Sequence, residues 1–112
     1  MTNRETPPEL AEWVAERADL LASTVRKILD AAEPRDGEPV QAWLIPLLEE
    51  FSHVETISKR AVHLLSAYAL RTNMTTKTEI ARATDVTVSA AANRAASRLA
   101  RETWQEVWPE QR

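Results

Sequence analysis

The sequence predicts an all-α fold of about five helices, and three observations carry that prediction. Glycine occurs once in 112 residues and alanine eighteen times. One glycine cannot supply the positive-φ positions that hairpins and phosphate-cradling loops need. Apolar residues recur at helical spacing along most of the chain. Prolines and capping residues punctuate it at helix-length intervals. At 44% hydrophobic and 28% charged residues the composition is that of a globular chain, and the length suits a single domain over residues 1–112.

Pro7-Pro8 opens the first helix, since proline is tolerated in a first helical turn. Ala11, Val14, Ala18, Leu21, Val25, Ile28 and Ala32 then follow at alternating spacings of three and four, a seam of the kind that packs helix on helix. Residues 8–33 are therefore expected to form an N-terminal helix and an oligomerisation layer. The stretch 34–39 holds the sole glycine and two of the six prolines, and reads as a loop. A second helix starts near Val40, with Trp43, Leu44, Leu47, Leu48 and Phe51 as its apolar positions and Pro46 as a kink. Ser52-His53-Val54-Glu55 has the spacing of a capping box, so a third helix is expected from there to about Leu70, burying Ile57, Ala61, Leu64, Leu65 and Tyr68. Thr76-Lys77-Thr78-Glu79 is a second capping box and opens a short helix to Thr84. The last helix is expected to run unbroken from Thr87 to Trp108, where Pro109 stops it.

Residues 77–96 carry the most specific pattern. A short helix with small Ala81 at its crossing point ends at Thr84; Asp85 occupies a position suited to a left-handed backbone; Thr87 caps the next helix. Ile80, Thr84 and Val86 close the small core between the two helices. This is the pattern of a helix-turn-helix, whose second helix enters the DNA major groove. The expectation is a tri-helical core within a helix-turn-helix region at 53–108, with no β-wing.

The stretch from Glu79 to Ala96 resembles the helix-turn-helix of lactose-repressor-type bacterial regulators. Their pattern runs acid-Val-Ala-x-x-Ala-Gly-Val-Ser, and Glu79, Ile80, Ala81, Val86 and Thr87 fit it. The match covers about 20 residues and points to the helix-turn-helix superfamily rather than to that family as a whole. The resemblance implies base readers at Val88, Ser89 and Asn93. Asp85 stands where the family has its turn glycine, and Arg94 where it has an apolar core residue. A helix rolled to bury Ala91, Ala92, Ala95 and Leu99 accommodates Arg94 by placing it outward with Ala90, Asn93, Ser97 and Arg101.

Charge supports the same reading. Residues 1–50 carry a net charge of -6, whereas residues 71–101 carry +4. A basic segment in an acidic chain can attract a polyanion, or can pair with the acidic half of its own fold. On the DNA reading Val88, Ser89, Ala90, Asn93 and Arg94 face bases, and Arg71, Thr76, Lys77, Thr87, Ser97, Arg98 and Arg101 face phosphates. Inverted-repeat duplex DNA and a homodimer are the expected partners, the dimer forming through Val14, Leu21, Val25 and Ile28 or through Trp104 and Trp108. The last pair lie one turn apart and need a cover, from the first helix or from a second subunit.

The function expected is that of a small bacterial transcriptional regulator, a repressor by default. A helix-turn-helix-fold interaction module, such as an anti-activator or a phage or plasmid accessory factor, is the alternative, with a protein as partner. A plasmid-partition or DNA-organising protein is a third. Zero cysteines exclude disulfides and thiolate chemistry. Glu50 and His53 have the spacing used in di-metal bundles, but His63 has no matching carboxylate, so no metal site, cofactor or enzymatic activity is expected. No apolar run reaches ~20 residues and no secretory signal is visible, so a cytoplasmic protein, without a membrane partner and nucleoid-associated when on DNA, is expected.

Overall fold

The computed structural model describes residues 5–110. They form an all-α fold of five helices with no strand among them: α1 (Pro8–Ala31), α2 (Val40–Arg71), α3 (Lys77–Ala83), α4 (Val88–Ala95) and α5 (Arg98–Val107). The chain divides into two compact units between Ser58 and Lys59.

In the first unit, α1 starts as expected. Pro7 precedes it, Pro8 occupies its first turn, and the Ala11 amide donates to Pro7 O at 3.0 Å. Its roll differs from the expected seam. Leu10, Trp13 and Thr24 are buried and Leu21 and Ile28 half-buried, whereas Val14 and Val25 stay exposed. The seam read from the sequence thus straddles two faces of the helix. The Thr24 hydroxyl is satisfied within the helix by donating to Leu20 O at 2.9 Å. In the connection, Gly37 takes φ +76° and the Arg35 amide donates to the Glu38 carboxylate. The Trp43 indole N–H then donates to Ala32 O at 3.2 Å, tying the start of α2 to the end of α1.

The expected break at Ser52 does not occur, and α2 runs on for 32 residues. A capping box contributes about 1 kcal/mol, less than a turn of backbone hydrogen bonds exposes when broken. No glycine or proline follows Pro46 before Arg71 to force the break. The helix ends in a Schellman arrangement. The Met74 amide donates to Ala69 O at 2.9 Å and the Asn73 amide to Leu70 O, with Asn73 at φ +56° where most helices place glycine.

The second unit holds the end of α2 with α3, α4 and α5. Thr76 caps α3 by accepting from Glu79 N, and Thr87 caps α4 by accepting from Ala90 N. Between them α3 ends in a second Schellman arrangement, Val86 N to Ala81 O at 3.0 Å and Asp85 N to Arg82 O at 3.4 Å. Asp85 takes φ +54°, the left-handed conformation expected of it. Ile80, Ala81 and Ala91 form the buried cluster, with Ala69, Leu70 and Val86 packed against it. The last helix is not continuous. It breaks at Ala96–Ser97, where Ser97 caps α5 by accepting from Ala100 N. Arg60 ties α2 to α5 by donating to the Glu106 carboxylate and to the hydroxyl of fully buried Thr103.

Candidate nucleic-acid interface

Ala91 fixes the roll of α4. It is 0% exposed and belongs to the buried cluster with Ile80 and Ala81. At ~100° per residue the face opposite Ala91 is that of Ser89 and Asn93, and both are exposed, as is Val88 at the helix start. The three readers implied by the family resemblance therefore lie open. The alternative roll of α4 does not hold. Ala90 and Arg94 are half-buried rather than turned outward with Asn93, because Ala91 rather than Ala92 takes the central buried position.

Asn93 opens onto a cleft of about 550 Å³. Its floor is apolar: Ala67 and Leu70 from α2, Ala92 and Ala95 from α4. Its rim is cationic: Arg71, Lys77 and Arg101 come from α2, α3 and α5, and among the described residues no acidic side chain lines it. Two of these cations are held in place. The Arg71 guanidinium lies over the Trp104 ring, 4.3 Å from its centroid. Arg101 donates to Ala96 O at 2.9 Å, satisfying a carbonyl left open at the end of α4.

The indoles are covered from within the chain. Tyr68 stacks on Trp104 and Trp108 with ring centroids 6.1 Å and 5.8 Å apart, and Trp108 is buried. The sequence leaves the cover of this pair to the first helix or a second subunit; in the structure Tyr68 stacks on both rings and Trp104 also seats Arg71. The remaining cations divide. Arg98 is exposed, does not line the cleft, and pairs with Glu102 one turn on at 3.2 Å. Thr76 and Thr87 are exposed with their hydroxyls already accepting from their own helices.

Ser97 is engaged three ways and does not serve as a free phosphate donor. Its hydroxyl donates to Arg94 O at 2.7 Å, accepts from Ala100 N at 3.0 Å, and lies 2.8 Å from His63 Nδ1. With the serine proton committed to Arg94 O, Nδ1 is the donor of this contact. Burial, then the Arg94 and Lys59 charges, lower the His63 pKa below its ordinary 6.5.

The unfolded chain therefore takes up a proton as pH falls through 6.5 while the folded chain resists it. The His63 contribution is complete above 6.5 and is lost as pH falls towards the lowered folded value. Thermal unfolding of the wild type is expected at a lower temperature at about pH 5.5 than at about pH 7.5. His63→Asn, which keeps a nitrogen donor and cannot titrate, is expected to remove most of that difference. An equal pH dependence in both proteins would contradict this account.

His53 sits 3.4 Å from Glu50 and is exposed, and among the described residues no three His, Cys, Asp or Glu side chains gather as a metal site would require. No helix among the described residues is long and apolar enough to cross a membrane. In comparisons with known proteins, no family model, curated protein or solved structure matches this chain.

Proposed function

We propose that this chain is a small sequence-specific duplex-DNA-binding protein of the helix-turn-helix type, a cytoplasmic, nucleoid-associated bacterial regulator that represses by occlusion as a dimer. The observation that carries the reading is the cleft. Three cations from three helices rim it, with no opposing carboxylate among the described residues, beside the exposed Ser89 and Asn93 of α4. Cations on a rim suit a phosphate backbone, and an asparagine on an open helix face can pair bidentately with adenine. The Schellman turn through Asp85 and the Ala81–Ala91 crossing supply the geometry that lets one short helix stand clear of another. On this reading Val88, Ser89 and Asn93 face the bases. Arg71, Lys77 and Arg101, with Arg98 at one side, hold phosphates. Arg94 and Ala90 support α4 from behind.

A second reading, a protein-binding module with the same fold, is favoured by the net -6 of residues 1–50. Selection from a random duplex library separates the two. Enrichment of an inverted repeat is the expected result. On the selected site, Asn93→Ala is expected to relax preference at one or two base pairs, costing ~1–3 kcal/mol there, while Lys77→Ala weakens all sequences alike. No enrichment at about 50 mM salt, where phosphate contacts are strongest, would overturn the DNA reading.

A further inference from the structure

The described part of the first unit leaves a large apolar surface open. Twelve large hydrophobic side chains of the described chain are exposed, and nine of them precede Ser58. Six of those nine fall on two stripes, with Val14, Leu20 and Ile45 outside them. Beside its buried stripe, α1 carries a second stripe of Ala11, Ala15, Ala18, Ala22, Val25 and Leu29, at spacings alternating between four and three, and every member is exposed. On α2 Val40, Leu44, Leu48 and Phe51 form another stripe, with Val40 at 72% and Phe51 at 56% exposure, while Ile45 is exposed to one side of it.

The two stripes fall on one side of the hairpin. Trp43, bonded to Ala32 O, marks the side of α2 turned to α1. Buried Leu10, Trp13 and Thr24, with half-buried Leu21 and Ile28, mark the inward side of α1. At ~100° per residue the open stripe of each helix lies a quarter to a third of a turn from its inward side, in the same rotational sense. In two antiparallel helices the same sense leads to the same side. The six large side chains of the two stripes are 41% to 72% exposed, a larger apolar surface than the single exposed residues that monomers ordinarily carry.

Charge along α1 selects the occupant and its direction. Residues 8–19 hold Glu9, Glu12, Glu16 and Asp19 against Arg17, while residues 20–31 hold Arg26 and Lys27 against Asp30. A parallel copy would set acid on acid. An antiparallel copy crossing near Ala22 sets Arg26, which flanks the stripe, beside Asp19 of the other chain on the same flank. The alanines allow close backbone approach at the crossing, and a strict four-three repeat keeps the stripe facing its partner.

We infer that this face is the seat of a second copy of the chain, its α1 antiparallel to the first, with the two α1–α2 hairpins closing a four-helix layer. The inference rests on the dimeric regulator proposed above only for its twofold character, and its test needs no DNA. The mass of the full chain at tens of micromolar, by light scattering without duplex, is expected to be twice 12.6 kDa. Leu29→Glu with Leu48→Glu changes two side chains already 69% and 55% exposed, so the helical circular dichroism is expected to persist while the mass halves.

The chain has no cysteine, so single introduced thiols report the direction. Ala22→Cys is expected to oxidise to a covalent dimer and Ala11→Cys is not, because only position 22 meets itself. A monomeric wild type overturns the inference, and does so even if that monomer binds duplex. So does a double variant that stays dimeric. Self-crosslinking by both thiols overturns the antiparallel direction. A dimer that behaves as described but ignores DNA upholds this interface and removes the DNA reading alone.

Discussion

Replacing Arg71, Lys77 and Arg101 together by glutamine is expected to remove most of the salt dependence of duplex binding, and with it binding at physiological salt. Each phosphate neutralised by a cation contributes a slope of about -0.9 to log K against log salt. Three per copy and two copies on an inverted repeat make six contacts. A protein with that many loses roughly a thousandfold in affinity between 50 and 200 mM salt. The triple variant gives up those six and keeps Arg98 in each copy, so its residual binding is expected to be weak at 50 mM and to fall above it with a slope of only about -1.8. Arg71 also packs on Trp104, so the variant's thermal unfolding is to be compared with that of Lys77→Gln alone. Lys77 is exposed, and its single replacement is expected to lower the slope by about two over the pair without changing stability. An unchanged slope in either variant would place the phosphates somewhere other than this cleft.

What the sequence made legible were the features fixed by side chains bonding to nearby backbone. Thr76 and Thr87 cap the helices they were expected to cap, and Asp85 adopts the left-handed conformation expected of it. Those interactions span three or four residues, so a local pattern contains both partners. The features that escaped depend on residues far apart in the chain. At Ala95-Ala96-Ser97-Arg98 only the serine cap of Ala100 N is local; the His63 contact that also holds Ser97 lies thirty-four residues away. The cover for Trp104 and Trp108 is Tyr68, and periodicity cannot say which aromatic rings meet.

The roll of α1 failed for another reason. Two apolar stripes lie side by side on one helix, and a regular seam can be drawn between them. The roll of α4 turned on the difference between Ala91 and Ala92, which are identical in sequence and distinguished only by what packs against them.

Ser97→Ala is expected to destabilise the second unit more than its single hydroxyl suggests. The variant removes the cap from α5, a loss of about 0.5–2 kcal/mol. It also strips the acceptor from His63 Nδ1, and a buried donor left without a partner costs about 1–3 kcal/mol. Together these give a loss of roughly 2–4 kcal/mol, enough to lower the melting temperature by ten degrees or more in a domain of this size. Ser97→Thr keeps a capping hydroxyl and is expected to recover most of the loss.

The pair can be isolated by a double-mutant cycle. His63→Ala removes the donor that Ser97→Ala leaves stranded, so the double variant is expected to be more stable than the sum of the two losses implies, by about 1 kcal/mol or more. Strict additivity would mean that the 2.8 Å contact between His63 and Ser97 contributes nothing, and that the break between α4 and α5 has another cause.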